Sequence, residues 1–98
     1  MQGIRAVVQT PVLNGRRSSI EIIFEMLAAC DEGTVNKTAV MYRSGLNHAQ
    51  LRRYLSFLES QELLSFTEDG LLWLTPKGRR TLLQLSQVIR LLSNLNAA

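Results

Sequence analysis

The stretch that most constrains the fold runs from Asn47 to Glu62 and has the pattern of one amphipathic helix. Asn47 is a favourable N-cap, and Gln50 follows three residues later, where its amide can complete a capping box. The face opposite the apolar one is predicted to carry two adjacent arginines among small residues: Ala49, Arg52, Arg53, Ser56 and Ser60. The apolar face is predicted from leucines at helical spacing, Leu51, Leu55 and Leu58.

The polar face of this helix has two interpretations. Most helices with arginines on the outer face are simply solvated there. The other interpretation is that small residues, an amide and two arginines enter a groove of DNA. Bulky acids would repel phosphates, and the two glutamates, Glu59 and Glu62, come late in the stretch. The sequence on either side favours the second interpretation.

Two shorter helices are predicted before this stretch. Ser18 and Glu21 form a capping box at the start of the first. The second, from Lys37 to Ser44, is capped by Asn36 and stopped by Gly45. A short helix, a turn with glycine and a longer helix with a polar first turn make a helix-turn-helix. The apolar stripe predicted for the first helix is Ile20, Ile23, Phe24, Leu27 and Ala28.

The hydrophobic period changes after Glu62. The runs 63–67 and 71–74 resemble strands, and they flank Glu68-Asp69-Gly70, which is a hairpin signal. We expect the hairpin to pack on the helices and to pair with Thr34-Val35. A helix-turn-helix followed at once by a hairpin predicts a winged helix. Trp73, in the second run, is expected to pack inside.

A last helix is predicted from Thr75 and Pro76, its cap and first residue, to about Asn94. Its apolar residues form a heptad seam with a second stripe beside it, which one small core cannot cover. The helix is therefore predicted to be buried by a second copy of the chain. The predicted dimerisation residues are Leu82, Leu85, Val88, Ile89, Leu92 and Leu95.

Composition excludes several classes of function. The 11 Lys and Arg against 8 Asp and Glu give a net charge of +3, which permits nucleic-acid binding without arguing for it. One Cys allows no intramolecular disulfide, and one Cys with one His cannot form a zinc site in a single chain. Cys30 is predicted to be a small buried hydrophobe. No apolar run approaches the roughly 20 residues of a membrane span, so a cytoplasmic, nucleoid-associated protein is expected.

No catalytic constellation is apparent, so no enzyme and no cofactor are expected. Carboxylates are not paired near a pocket signal, and the 6 glycines are scattered at turns rather than gathered in a phosphate loop.

Three segments resemble small archaeal winged-helix DNA-binding proteins, some of them regulatory or chromatin-associated: RRSSIEII, KTAVMYRSGLNHAQLRRYLSFLESQELL and WLTPKG. The resemblance covers about Arg16 to Gly78. It implies DNA recognition by the helix from Asn47 onward, and dimerisation through a C-terminal helix. The wing tip, Thr67 to Gly70, departs from it, because it is acidic where a wing in a minor groove presents Arg or Lys.

The predicted DNA contacts are basic or polar residues of the helix-turn-helix and the segment before it: His48, Gln50, Arg52, Arg53, Arg43, Lys37, Arg16 and Arg17. Two of them have an alternative role. Gln50 can serve only to complete the capping box, and His48 can be a solvated side chain.

The sequence thus predicts a mainly α (α+β) winged helix-turn-helix of three helices and a β-hairpin wing, followed by a dimerisation helix. Its parts are an arm over residues 1–15, a winged-helix domain over 16–75 and a dimerisation helix over 76–98. The expected function is binding of duplex DNA as a homodimer, sequence-specific or general, in a transcriptional regulator. The acidic wing, the modest net charge of +3 and Phe57 favour an alternative, a winged-helix protein–protein interaction module without DNA binding. An effector ligand is a third alternative, and nothing in the sequence names one.

Overall fold

Four helices and a two-stranded antiparallel hairpin account for the ordered elements of residues 18–97, the part of the chain that the structure, a computed structural model, describes. The predicted arm over residues 1–15, with Arg16 and Arg17, lies outside the described residues. The predicted winged-helix order is confirmed. In chain order the elements are α1 (Ser19–Ala29), α2 (Lys37–Ser44), α3 (His48–Ser60), β1 (Leu64–Phe66), β2 (Leu72–Leu74) and α4 (Pro76–Ala97).

α1 is the central helix of the core, because it packs against both α2 and α4. Its capping box forms as predicted, with the Glu21 N–H donating to the Ser18 hydroxyl at 3.2 Å. The predicted apolar stripe was wrong in part, because it left out two buried residues and included an exposed one. Two helices cover α1 from different sides, so Ile22 and Met26 are buried, whereas Ala28 is exposed.

The core draws on every element. Burying each large apolar side chain stabilises the fold by about 1.5–3 kcal/mol. The largest fully buried side chains are Met26, Leu27, Val40, Leu58, Leu64 and Leu72.

The turn between α2 and α3 requires a left-handed residue. Gly45 has φ +64°, and the Leu46 N–H donates to the Met41 carbonyl at 3.1 Å, which closes the end of α2. Leu46 is 8% exposed and fills the inside of the turn. This turn fixes the direction of α3 relative to α2.

α3 ends at Ser60, two residues before the predicted end, in a Schellman motif. The Leu63 N–H donates to the Leu58 carbonyl at 2.9 Å, and the Glu62 N–H donates to the Glu59 carbonyl at 2.9 Å. Glu62 occupies the left-handed position of the motif with φ +61°, where glycine is the usual residue. The chain thereby turns directly from α3 into β1.

In the hairpin Ser65 pairs with Trp73, and on β2 Trp73 lies between the buried residues Leu72 and Leu74. Val35 extends it, exchanging hydrogen bonds with Leu72 at 3.0 and 2.7 Å, so the predicted pairing with Thr34-Val35 is confirmed. The prediction that Trp73 packs inside was wrong. It is 37% exposed, because its position in the strand points away from the helices.

α4 belongs to the domain at its start and leaves it further on. Leu82 is buried and Leu85 packs against the core, whereas Leu91 and Leu95 are 68% and 62% exposed. None of the helices between residues 18 and 97 has the length and apolarity needed to span a bilayer.

Candidate nucleic-acid interface

The face of α3 opposite its buried leucines forms a line of exposed side chains. Leu51, Leu55 and Leu58 are at most 7% exposed and anchor the helix on the core. Helical geometry places four residues roughly opposite them. We call these residues the outward line: Ala49, Arg53, Ser56 and Ser60, all exposed. Small side chains around one arginine allow the helix backbone to come close to another surface.

The start of α3 is held by the predicted capping box. The Gln50 N–H donates to Asn47 Oδ1 at 2.8 Å, and the Asn47 N–H donates to Gln50 Oε1 at 3.1 Å. A bidentate contact to adenine needs both the oxygen and the nitrogen of an amide. Oε1 of Gln50 accepts a backbone hydrogen bond at the helix start, so a bidentate contact to adenine would have to share that oxygen with the capping box.

One flank of the outward line borders an open groove of about 620 Å³ between α2, α3 and the hairpin. We call it the inner groove. Its polar rim combines Lys37 from the start of α2 with His48 and Arg52 from α3. The Lys37 ammonium lies 5.8 Å from the centroid of the Phe66 ring, a cation–π contact that directs it toward the groove. Glu59 is the acidic residue of the rim, at the far end of α3.

The other flank borders a smaller depression of about 380 Å³ between α1 and α3. We call it the aromatic depression, and it is lined by Ser19, Ile23, Arg53, Tyr54 and Phe57. The Ser19 and Tyr54 hydroxyls lie 2.9 Å apart, and the Arg53 guanidinium lies 5.5 Å from the centroid of the Tyr54 ring. Arg52 therefore lines the inner groove, whereas Arg53, on the outward line, borders the aromatic depression.

Arg43 has a partner away from both flanks. It donates to the Ala29 carbonyl at 3.1 Å, at the C-terminal end of α1. Arg79 of α4 pairs with Asp31 and donates to its carbonyl at 3.4 Å. α1 has no basic residue in its own last turn, so arginines from two other helices neutralise the negative end of its dipole.

Cys30 lies at the same end of α1 and is 1% exposed, which confirms its prediction as a buried hydrophobe. Burial raises the pKa of its thiol to about 11, and the neighbouring Arg43 charge opposes that rise. The thiol is protonated at neutral pH. In the part of the chain described, no group of three or more His, Cys, Asp or Glu side chains is arranged to hold a metal ion.

The structure brings together some of the predicted contacts and separates others. Lys37, His48 and Arg52 share the inner groove, and Arg53 stands on the outward line. Ala49, Ser56 and Ser60, predicted on the face opposite the leucines, are exposed on the outward line.

The arrangement is that of a winged-helix domain: a helix-turn-helix whose second helix has an exposed outer face, followed by a hairpin. The chain belongs to the winged helix-turn-helix family, whose model matches residues 16–93.

Two curated relatives come from Methanocaldococcus jannaschii, and both are described as uncharacterized proteins. One is 38% identical over 79% of this chain, which spans 36% of that relative's length. The other is 28% identical over 81% of this chain and 80% of the relative.

Solved structures show the same fold. Sso10a-2, a DNA-binding protein from Sulfolobus solfataricus, is 27% identical with a TM-score of 0.74, over 83% of this chain and 87% of that one. The transcriptional regulator BldR from the same organism is 21% identical with a TM-score of 0.71, over 95% of this chain and 70% of that one. BpsR of Bordetella bronchiseptica is likewise 21% identical, with a TM-score of 0.69 over the same shares. At that identity the last two show the fold alone.

Proposed function

We propose that this protein binds duplex DNA as a homodimer, with α3 in the major groove, and acts as a transcriptional regulator rather than an enzyme. Membership of the winged helix-turn-helix family and similarity to a DNA-binding protein support the proposal. The observation that carries it is the outward line, which has a single arginine among small side chains. A major groove about 12 Å wide admits such a helix face. This role would place the protein in the cytoplasm, on the nucleoid.

The basic residues around α3 are proposed to have two different roles in binding DNA. Arg53 lies on the line that faces away from the core and is the side chain placed to reach a base edge, where Arg forms bidentate contacts with guanine. Arg52, Lys37 and His48 surround the inner groove, where a phosphate of the backbone would meet all three. In this proposal Arg53 contributes specificity, and the groove residues contribute affinity.

One predicted contact, Arg43, and the wing have smaller roles in this proposal. Arg43 supports the site by holding the end of α1 rather than by touching DNA. The wing tip carries Glu68 and Asp69, whose charges would be repelled by phosphates, so the wing stays off the duplex.

The exposed end of α4 is proposed as the dimer interface. Leu82 and Leu85 have partners within their own domain, so the pairing surface shifts toward the end of the helix. Spacings of three, four and seven residues place one apolar stripe there. Its members are Val88, Leu91, Leu92 and Leu95. Residues 16–75 would then provide the DNA-binding domain, completed by the first turns of α4, and the rest of 76–98 would provide the pairing surface.

The proposal predicts a change in the salt dependence of binding to a generic duplex. Arg52→Ala should reduce the slope of log K against log [salt] by about 1, because one phosphate contact is lost. Arg90→Ala is the matched control, since it removes the same charge from an exposed position on α4. If the double variant Arg52→Ala, Arg53→Ala binds DNA as tightly as the wild type, α3 is not the recognition helix.

The alternative, a protein–protein interaction module, is favoured by one observation of the structure beside the acidic wing: Phe57, on α3 itself, is 47% exposed. A chain that captures a protein partner, with no salt-sensitive affinity for duplex DNA, would support it instead.

A further inference from the structure

The hairpin holds the start of α2 at two points. Val35, two residues before Lys37, exchanges backbone hydrogen bonds with Leu72 of β2 at 3.0 and 2.7 Å. β1 lies along the other edge of β2, where Phe66 pairs with Leu72 and packs against the core. The ring of Phe66 is the second point, because the Lys37 ammonium lies 5.8 Å from its centroid. The hairpin thus fixes both the backbone that leads into α2 and the side chain of its first residue.

The aromatic ring holds Lys37 without neutralising its charge. A carboxylate in the same place would cancel the charge and occupy N–H donors with hydrogen bonds. The face of an aromatic ring attracts an ammonium through its quadrupole instead, which leaves the positive charge in place. Lys37 is exposed and forms the cationic rim of the inner groove with His48 and Arg52. Its ammonium is therefore restrained at this rim and is still able to donate to a phosphate.

The restraint affects binding because a lysine side chain is long and flexible. Immobilising such a side chain in a complex costs free energy, since its rotamer freedom is lost. A side chain that is already confined loses less of this freedom when a phosphate binds. The acidic tip of the hairpin, with Glu68 and Asp69, offers no attraction to phosphates of its own. The hairpin therefore favours DNA binding through the position of Lys37.

We propose that Phe66 is a positioning residue for DNA binding, which holds the Lys37 ammonium at the inner groove where it meets a backbone phosphate. This role rests on the proposed function, and it needs no contact between the hairpin and the duplex. Phe66→Leu should weaken binding to a generic duplex about two- to fivefold, the effect of losing an exposed cation–π contact. The slope of log K against log [salt] should not change, because Lys37 still reaches the phosphate. Lys37→Ala should reduce that slope by about 1.

Three matched variants separate positioning from packing, with affinity measured by fluorescence anisotropy. Phe66→Tyr keeps the ring and should bind DNA as tightly as the wild type. Trp73→Leu removes an exposed ring from the outer face of the same hairpin and should also leave the affinity unchanged. In a Lys37→Ala background, Phe66→Leu should cause no further loss. An equal loss with and without Lys37 would show that the ring only packs, and would overturn the proposal.

NMR of the full chain without DNA tests the contact by itself. Protons that lie over the face of an aromatic ring are shifted upfield. The ε-methylene protons of Lys37 should show this shift in the wild type and in Phe66→Tyr, and should lose it in Phe66→Leu. An unshifted signal in the wild type would overturn the proposal.

The double variant Arg52→Ala, Arg53→Ala separates this proposal from the proposed function. If that variant loses DNA affinity while Phe66→Leu binds as the wild type does, the positioning role is wrong and the proposed function stands. If the double variant binds DNA as tightly as the wild type, the proposed function is wrong, and the role of Phe66 falls with it.

Discussion

The Thr75 hydroxyl donates a hydrogen bond of 2.6 Å to the backbone carbonyl of Glu62. The same oxygen accepts from the Gly78 N–H at 2.9 Å, so one side chain both caps α4 and ties it to the end of α3. Glu62 is the left-handed residue of the Schellman motif, and its carbonyl faces α4 because of that conformation. The orientation of the proposed recognition helix relative to α4 depends on this junction.

Replacing the Thr75 hydroxyl should therefore weaken the whole domain. We expect Thr75→Val to lower the free energy of unfolding by about 1–2 kcal/mol, because an N-cap and a hydrogen bond between helices are lost together. Thr75→Ser keeps the hydroxyl and should lower the free energy of unfolding by only a small fraction of that amount. Urea titration followed by circular dichroism measures both. A larger loss in Thr75→Ser than in Thr75→Val would show that the methyl group, not the hydroxyl, stabilises the junction.

Gly78 permits the close approach of α4 to the same junction. A Cβ at this position would lie 2.0 Å from the Leu63 carbonyl oxygen and 2.8 Å from Leu74 Cδ1, so backbone would have to move. Gly78→Ala should destabilise the domain by about 3 kcal/mol despite the better helix propensity of alanine. Lys77→Ala, one residue earlier and exposed, is the control and should be nearly neutral in the same titration. A stable Gly78→Ala variant would contradict the packing described for α4.

Ser44 is fully buried, and its hydroxyl is the one buried side-chain polar atom among residues 18–97 that lacks a hydrogen-bond partner. Desolvating an unpaired hydroxyl costs about 1–3 kcal/mol. Ser44→Ala should thus stabilise the domain by about 1 kcal/mol and raise Tm by roughly 4–8 °C. Ser93→Ala, at an exposed position on α4, gains the same helix propensity and serves as the control. If both variants gain equally, burial of the hydroxyl is not the cause.

Cys30 should make stability fall in mildly alkaline solution. Burial raises its pKa from 9.0 to about 11, so between these values the unfolded chain releases a proton that the folded chain retains. The stabilisation is complete below pH 9 and is lost as pH rises through 11. Chemical denaturation at pH 8 and pH 10.5 measures it against Cys30→Ala, which lacks the thiol. Parallel pH profiles in the two proteins would contradict the assignment.

Most of the fold prediction depended on interactions between residues close together in sequence. The caps at Ser18, Asn36 and Asn47 and the turn at Gly45 depend on neighbours within a few residues, and all four form as predicted. The error in α1 arose because its burial is decided by two helices at once, which a periodic pattern does not encode. Trp73 was misplaced for a similar reason, since a short strand gives no signal for which side faces the helices.

The candidate site was predicted in composition but not in arrangement. Arg52 and Arg53 are adjacent in sequence, which does not indicate which of them would reach a base edge and which a phosphate. In the structure Arg52 lines the inner groove and Arg53 lies on the outward line beside the aromatic depression, because Leu51, Leu55 and Leu58 fix the rotation of α3. The partner of Arg43, the Ala29 carbonyl, is 14 residues away and became apparent only from the packing of α2 on α1.

The last prediction concerns the proposed dimer. Leu91→Arg should convert it to a monomer, because an arginine at the centre of the apolar stripe on α4 would be buried without a partner. Leu83 is similarly exposed, at 61% against 68%, but lies outside the stripe, so Leu83→Arg is the control. Light scattering should give twice the mass of the 11.0 kDa chain for the wild type and the control, and the single mass for Leu91→Arg. A wild-type monomer, or a dimer that tolerates Leu91→Arg, would place the pairing surface elsewhere. The monomer should also bind DNA more weakly, since two recognition helices linked by α4 contact two half-sites at once.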